Sequence, residues 1–184
     1  MAEIMTPYGS VSAELFERAA RIRLLICDVD GVLSNGFIYM GNNGEEFKTF
    51  CTRDGAGMKA LMRAGIEIGI ITGRSSRIVS DRMSSLGVRH LVQGADEKLP
   101  HFERLLGELG LSADEAAYIG DDTIDLPVMQ ACGLGIAVAD AHPLVRSQAT
   151  MVTRIQGGFG AVREVCDLIL QAKGLLDAGQ ETST

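Results

Sequence analysis

Short continuous apolar runs alternate along most of the chain with segments whose apolar residues recur every three to four positions. The continuous runs predict buried strands, and the segments with three-to-four spacing predict helices. This alternation predicts an α/β domain in which helices cover both faces of a parallel sheet. The predicted strands are 24–29, 66–72, 89–93, 116–120, 133–139 and, at an edge, 149–153; the predicted helices are 12–23, 57–63, 75–86, 97–109, 124–131, 141–147 and 161–173.

Residues 36–51 depart from this alternation. The segment GFIYMGNNGEEFKTFC has two β-prone, partly alternating runs on either side of Gly41–Gly44. Two such runs around a turn rich in Gly and Asn predict a β-hairpin whose loop is longer than two residues. We therefore expect a small hairpin inserted into one domain that spans residues 1–184.

Composition narrows the class of protein. A hydrophobic content of 46% and a charged content of 22% are ordinary for a soluble protein, and the net charge of −7 argues against nucleic acid or an anionic membrane as a partner. No apolar run approaches the roughly 18 residues of a membrane helix, and the N-terminus has no signal-peptide pattern. The four cysteines lack zinc-type spacing, so we expect reduced thiols and a cytoplasmic protein.

Polar residues directly follow three of the predicted strands. Asp28 and Asp30 end the first, 72–74 (Thr-Gly-Arg) end the second, and Asp121 follows strand 116–120, while Lys98 stands at the start of a helix. The carboxyl ends of parallel strands meet at one edge of a sheet, which is where such sheets bind ligands. A polar turn would explain each peptide alone, but their common placement favours a functional site.

The chemistry of this residue set indicates phosphoryl transfer. Two neighbouring carboxylates repel each other unless a cation lies between them, and oxygen ligands suit Mg²⁺ where phosphate is also bound. A lysine, a threonine hydroxyl and backbone N–H groups can receive the phosphate. One aspartate can attack the phosphorus, and a second carboxyl group can protonate the leaving oxygen and then activate water.

The chain resembles the haloacid dehalogenase-like (HAD) phosphatases at four segments. These are DVDGVLSNG, ITGRSS, EKLPHFERLLGELGL and AYIGDDTIDLPVMQACGLGIAVADAHPLV. The resemblance spans about residues 24–173 and implies a Rossmann-like parallel sheet sandwiched by helices. A small hairpin in place of a large cap domain is similar to the capless, oligomeric members of the family.

The resemblance also implies a role for each charged residue. Asp28 corresponds to the nucleophile and to a Mg²⁺ ligand. Asp30 corresponds to the general acid and base, and its backbone carbonyl to a second metal ligand. Asp121 corresponds to the remaining metal-binding carboxylate. Lys98 corresponds to the catalytic lysine that orients Asp28 and neutralises charge.

Thr72 and the Gly73 amide correspond to the group that holds the transferring phosphoryl. Other positions are open to two interpretations. Arg74 either meets a carboxylate of the substrate or forms a surface salt bridge. Asp122 either supports the metal or caps a helix, and Asp125 either supports the metal or is a solvated helix residue. The roles of Arg53 and Arg82 are left open.

For function, the resemblance implies a phosphoric monoester hydrolase that acts on a small sugar-acid phosphate. The four segments are similar to those of phosphatases that cleave 3-deoxy-D-manno-octulosonate (KDO) 8-phosphate in lipopolysaccharide biosynthesis. The alternatives are another substrate, such as KDN 9-phosphate, and a noncatalytic HAD-like oligomerisation module. Asp30, Lys98 and Asp121 are all present, which favours an active enzyme. The resemblance further implies a homotetramer.

The glycines at 157–160 precede the last predicted helix. A capless site is open to solvent, although an aspartyl-phosphate intermediate requires control of water. One hypothesis is that the hairpin 36–51 or the C-terminal segment 155–184 of a neighbouring subunit closes the site. The alternative is that the glycines merely connect an edge strand to the last helix.

Overall fold

The computed structural model describes residues 2–176. Within that range the chain forms ten strands and seven α-helices. The strands are β1 (Glu3–Thr6), β2 (Gly9–Ser12), β3 (Leu24–Cys27), β4 (Tyr39–Met40), β5 (Glu46–Phe47), β6 (Glu67–Ile71), β7 (His90–Val92), β8 (Ala116–Gly120), β9 (Leu134–Ala137) and β10 (Met151–Val152). The helices are α1 (Ala13–Arg21), α2 (Thr52–Arg63), α3 (Arg77–Leu86), α4 (Leu99–Leu109), α5 (Leu126–Ala131), α6 (Pro143–Gln148) and α7 (Ala161–Ala172).

Strand β3 lies inside a parallel sheet. Among the described residues this sheet has six strands in the order β10-β9-β8-β3-β6-β7. Every residue of β3 is buried, and Cys27 pairs with Ile70 of β6 on one side and with Ile119 of β8 on the other. The predicted α/β fold is confirmed, and the carboxyl end of β3 is flanked by those of β6 and β8.

The helices pack in two groups. Helix α7 contacts α1 and α2, and α2 contacts α3, while α4 contacts α5 and α5 contacts α6. Right-handed crossovers between parallel strands place these groups on opposite faces of the sheet. None of the helices formed by residues 2–176 is long and apolar enough to span a bilayer.

The predicted hairpin within 36–51 is present, with strands shorter than the sequence pattern indicated. β4 and β5 pair antiparallel, with Tyr39 opposite Phe47 and Met40 opposite Glu46. The turn is closed by the Gly41 N–H, which donates to the Glu45 carbonyl at 2.8 Å. The hairpin leads directly into α2 and stands beside the carboxyl end of the sheet.

An N-terminal hairpin was not predicted. β1 and β2 pair antiparallel from Glu3 opposite Ser12 to Thr6 opposite Gly9. Thr6 is the one buried residue of these two strands, so they have little of the apolar alternation on which a strand prediction rests. Helix α1 follows at once, and the Ser12 hydroxyl accepts the N–H of Leu15 as a cap.

Helix α2 begins at Thr52, whereas the sequence pattern predicted a start at residue 57. Gly55 and Gly57 lie in its first turns and lower the helix propensity there, which is why the predicted start was late. Both glycines lie at close contacts. A Cβ on Gly55 would overlap Arg82 of α3, and one on Gly57 would overlap Arg163 of α7. The packing that they permit offsets their low propensity.

Candidate active site

Asp28 follows β3 directly and is buried at the carboxyl end of the sheet. Its N–H donates to the Ile119 carbonyl at 3.1 Å, which extends the contact between β3 and β8 by one residue. Its Oδ1 lies 2.9 Å from Nζ of Lys98. A buried carboxylate therefore faces a buried ammonium, as a charge withdrawn from water requires.

Lys98 immediately precedes α4, at the helix end where the backbone dipole disfavours a cation. Its Nζ lies between two carboxylates, because it is also 2.6 Å from Oδ1 of Asp125. Burial is the largest single influence on the pKa of Lys98 and lowers it, but the combined attraction of Asp28 and Asp125 outweighs burial and raises the pKa overall. Lys98 is therefore charged at neutral pH.

Asp125 has no exposed surface and accepts hydrogen bonds from four donors. Oδ1 accepts from Lys98 Nζ and, at 2.6 Å, from the hydroxyl of Tyr118. Oδ2 accepts the backbone N–H groups of Asp121 at 3.0 Å and Asp122 at 3.1 Å. Of the two interpretations of Asp125 that the sequence left open, its burial excludes the solvated helix residue. Asp125 instead connects the lysine to the loop that carries Asp121.

Carboxylate oxygens of Asp28, Asp121 and Asp125 lie within 4.8 Å of one another. Burial raises the pKa of Asp28 to about 6 against the lowering effect of Lys98. Burial, with repulsion from Asp28 and Asp125, raises the pKa of Asp121 to about 8. Such crowding of negative charge is what a divalent cation would relieve. Since all four donors of Asp125 are protein groups, Asp28 and Asp121 are the better candidates for ligands.

Gly31 explains how Asp121 approaches this corner. It has a φ of 89°, and a Cβ there would overlap the Oδ2 atom of Asp121. Only glycine both adopts this backbone conformation readily and leaves room for the carboxylate. The glycine that follows Asp30 therefore serves the site directly.

Asp30 lies at the side of the site that the hairpin covers. Its Oδ1 forms an ion pair with Nζ of Lys48, and its Oδ2 lies 3.9 Å from Nε of Arg74. Glu46 joins the same group, since it accepts from Nη2 of Arg74 at 3.4 Å and from the hydroxyl of Ser76 at 3.2 Å. The structure therefore shows Arg74 in a salt bridge to the hairpin, with its side chain half exposed.

Thr72 and Gly73 follow β6, next to β3 in the sheet. Thr72 is buried, its N–H donates to the Val92 carbonyl at 3.0 Å, and its own carbonyl accepts from Ala95 at 3.0 Å. The pairing of β3 with β6 places these residues and Asp28 at neighbouring strand ends. The sequence-predicted groups of both strands thus share one edge of the sheet.

The sequence of this chain is similar to those of known hydrolases. Residues 91–162 match the family model of the haloacid dehalogenase-like hydrolases. Over 182 residues the chain is 55% identical to the 3-deoxy-D-manno-octulosonate 8-phosphate phosphatase KdsC of Escherichia coli K12, covering 99% of this chain and 97% of that protein. The chain belongs to the KDO 8-phosphate phosphatase family of HAD-like hydrolases.

Solved structures of this family have the same fold. A crystal structure of the KDO 8-phosphate phosphatase of Yersinia pestis has a TM-score of 0.95 and 55% identity, covering 96% of each chain. The enzyme of Moraxella catarrhalis, solved with a magnesium ion, a phosphate ion and KDO, has a TM-score of 0.89 and 43% identity. That match covers 91% of this chain and 97% of the Moraxella chain.

Three residues that the sequence left open contact other groups of the protein. Asp122 is exposed, and its carboxylate accepts the N–H of Thr123 at 2.7 Å, which is the capping interpretation. Nη2 of Arg53 donates to the Phe159 carbonyl at 2.8 Å. Arg82 packs over Gly55. The hydrogen bond of Arg53 is therefore to the protein's own backbone, and Arg82 packs between α3 and α2.

Sequence reasoning missed three members of the site. Tyr118 was treated as a buried strand residue, although a buried tyrosine hydroxyl needs a partner, and here the partner is Asp125. Glu46 and Lys48 were treated as ordinary hairpin residues. Their spacing of two residues puts them on one face of a strand, which was the available signal.

Proposed function

We propose that this chain is a Mg²⁺-dependent phosphatase that hydrolyses KDO 8-phosphate to KDO and inorganic phosphate in lipopolysaccharide biosynthesis. The observation that carries the proposal is the buried Asp28–Lys98–Asp125 arrangement beside Asp121, in a chain 55% identical to a KDO 8-phosphate phosphatase over nearly its whole length. An oligomerisation module would have no need to bury a lysine between two carboxylates at a large desolvation cost.

Mg²⁺ fits the donor set at this corner of the sheet. The side chains of Asp28 and Asp121 would hold it, and we assign the backbone carbonyl of Asp30 as a third ligand. The donors are all oxygen atoms, as Mg²⁺ prefers. Their negative charges repel one another in the buried site, and a cation would relieve that repulsion. A bound Mg²⁺ ion neutralises charge on the phosphoryl group.

Each remaining step of the reaction is assigned to a side chain. Asp28 attacks the phosphorus, so that a bond from phosphorus to its carboxylate forms while the bond to the sugar oxygen breaks. Asp30 gives its proton to the departing sugar oxygen. Asp30 then takes a proton from water, whose oxygen attacks the phosphorus and releases Asp28 and inorganic phosphate. Lys98 holds Asp28 in place and offsets its charge.

Substrate binding is assigned to the neighbouring strand end. The Thr72 hydroxyl and the Gly73 amide hold the phosphoryl oxygens, and the guanidinium of Arg74 meets the carboxylate of the sugar acid. The half-exposed position of Arg74, between Asp30 and the hairpin, supports this assignment, because its remaining donors can reach a ligand.

We also propose a cytoplasmic homotetramer. Phe37, Tyr39, Met40 and Phe47 of the hairpin are exposed, and a cluster of large apolar side chains of this kind is typical of an interface. All four cysteines lie within residues 2–176 and are free, which suits a reducing compartment. Sedimentation of the wild type and of the Phe47→Ser variant tests the assembly. The wild type should sediment as a tetramer, and loss of the apolar side chain should dissociate it.

The C-terminal segment is proposed to cover a neighbouring active site. In the described chain, Gly157 and Gly158 lie against the chain's own residues 31–35, where the Gly158 N–H donates to the Val32 carbonyl at 2.8 Å. Residues 177–184 lie outside the described residues. Because α7 is buried, a truncation that tests the proposal has to begin after Leu176. A changed KM or kcat supports closure, and unchanged values contradict it.

Phosphate release from a panel of sugar-acid phosphates tests the substrate. With Mg²⁺, kcat/KM for KDO 8-phosphate should exceed that for KDN 9-phosphate, and chelation of the metal should abolish both activities. Higher activity on KDN 9-phosphate would identify the alternative compound as the substrate of this site. No release from any member of the panel would favour the noncatalytic module.

A further inference from the structure

Lys48 lies outside the four segments that resemble the HAD motifs, yet its side chain has no exposed surface. It comes from the hairpin, directly after β5, and its Nζ forms an ion pair with Oδ1 of Asp30. Burying a lysine costs both side-chain entropy and hydration of the ammonium. Its ion pair with Asp30, a residue of the reaction site, is the contact that offsets this cost.

The hairpin is anchored so that Lys48 reaches Asp30. Glu46, two residues earlier and within β5, accepts from Arg74 and Ser76 of the loop after β6. Its Oε1 also lies 3.9 Å from Nζ of Lys48. These contacts join the insertion to the sheet edge at the position of the acid–base residue.

Both oxygens of Asp30 face a cation in this arrangement. Lys48 is paired with Oδ1, and Nε of Arg74 lies 3.9 Å from Oδ2. The side chain of Asp30 is 22% exposed, so most of its surface is withdrawn from solvent. Its orientation is set by charged partners. Asp28 has the corresponding partner in Lys98.

We propose that Lys48 is a positioning residue: its pairing with Oδ1 of Asp30 orients that carboxyl group so that Oδ2, which lies 3.9 Å from Nε of Arg74, carries the proton and delivers it to the leaving oxygen. This inference rests on the proposed function, in which Asp30 is the general acid. The physical reason is that proton transfer needs hydrogen-bond geometry, and a carboxyl group on a loop has several rotamers available to it. The hairpin thereby contributes a group to the chemistry.

Leaving-group dependence tests this role. Alkyl phosphates such as KDO 8-phosphate need a proton on the departing oxygen, whereas an aryl phosphate such as p-nitrophenyl phosphate has a leaving group that departs with little proton transfer. The value of kcat/KM covers only the steps up to departure of that group. For Lys48→Met we expect kcat/KM to fall about 10- to 100-fold on KDO 8-phosphate and much less on the aryl phosphate. The expected loss is a part of the roughly 10²- to 10⁴-fold contribution of a general acid, because the acid is still present but less well oriented.

Recovery of activity in the conservative variant Lys48→Arg is an independent test, which needs only KDO 8-phosphate as substrate. Lys48→Arg keeps a cation that can pair with Asp30, so its kcat/KM should recover most of the loss, whereas the kcat/KM of Lys48→Gln should not recover. Lys59→Met, on the exposed face of α2, is the matched control and should behave as wild type. Thermal unfolding establishes that each variant is folded.

Three results would overturn the proposal. One is an equal loss on alkyl and aryl phosphates without recovery in Lys48→Arg, which indicates a structural role. Another is a higher KM with unchanged kcat, which indicates substrate binding instead. The third is wild-type kinetics of Lys48→Met. Asp30→Asn separates these results from failure of the proposed function. If Asp30→Asn is active, Asp30 is not the general acid and the proposed function fails at that step. If it is inactive, the assignment of Asp30 stands and the Lys48 results test the positioning role alone.

Discussion

The Nζ atom of Lys98 lies 2.6 Å from Oδ1 of Asp125, a carboxylate without exposed surface. The same carboxylate accepts from the hydroxyl of Tyr118 and from the backbone N–H groups of Asp121 and Asp122. One buried side chain therefore fixes both the lysine that faces the proposed nucleophile and the loop that carries a proposed metal ligand. Rigid support of this kind is what a site with strict geometric demands requires.

Replacing Asp125 with Asn should impair both stability and turnover. An amide offers one acceptor oxygen where the carboxylate offers two, so some of the four donors lose their partner. Each buried donor left unpaired costs about 1–3 kcal/mol. We expect the free energy of unfolding in urea to fall by at least that amount and kcat to fall at least about tenfold, the factor that corresponds to about 1.4 kcal/mol of barrier.

Asp122→Asn is the matched control, since Asp122 is exposed and its capping contact with Thr123 needs only one oxygen. Its free energy of unfolding should stay within about 0.5 kcal/mol of wild type, as for most surface substitutions. If Asp122→Asn and Asp125→Asn had equal effects, Asp125 would not be the support described above.

Mg²⁺ should stabilise the fold, and by more at high pH than at low pH. The pKa values of Asp28 and Asp121 are raised from 3.8 to about 6 and about 8 without metal. Their contribution to stability is complete below pH 3.8 and is lost as the pH rises through these values. Bound Mg²⁺ compensates the loss, whereas protons compete with it at low pH.

Thermal unfolding with and without Mg²⁺ at pH 5 and pH 8 measures this difference. At a Mg²⁺ concentration of about 100 times Kd, binding adds about 2.7 kcal/mol to the free energy of unfolding. Asp121→Asn should lose most of the Mg²⁺-dependent increment. An increment that is independent of pH, or unchanged in Asp121→Asn, would place the metal elsewhere.

Asp54 should give the protein a second pH dependence, separate from the metal. It is buried at the start of α2; its Oδ1 accepts the N–H of Arg163 at 2.8 Å, and its Oδ2 has no hydrogen-bond partner among residues 2–176. Burial raises its pKa from 3.8 to about 6 despite that N–H bond. Ionisation of Asp54 therefore destabilises the folded state, and stability is lost as the pH rises through 6.

The Asp54→Asn variant has no such ionisation. Between pH 4 and pH 8 the wild type should lose roughly 2–3 kcal/mol of unfolding free energy relative to this variant, at about 1.4 kcal/mol for each unit by which the pKa is raised. Urea unfolding of the two proteins across that range provides the measurement. Parallel stability curves would show that Asp54 titrates normally.

Much of the site could be predicted from strand ends. Asp28, Thr72 and Asp121 each follow a continuous apolar run, and parallel strands must present their carboxyl ends together. The fold class follows from the same alternation of runs and helical spacing. These features depend on local patterns and on the rules of sheet topology, both of which are readable from one sequence.

The contacts of Asp125 and Lys48 could not be predicted in this way. Which cation a carboxylate pairs with depends on side chains that are distant in sequence, as with Lys98 and Asp125. The hairpin of Glu3–Thr6 and Gly9–Ser12 was missed because its strands are short and mostly unburied. The start of α2 was predicted late because its glycines are favoured by packing rather than by propensity.

The turnover of Asp28→Asn with KDO 8-phosphate and Mg²⁺ tests the central claim most directly. The substitution keeps the size of the side chain and removes the nucleophilic carboxylate, so phosphate release should fall by at least about a thousandfold, as is usual when a covalent nucleophile is removed. Cooperative thermal unfolding of the variant would establish that it is folded. Wild-type phosphate release from folded Asp28→Asn would contradict the proposed mechanism.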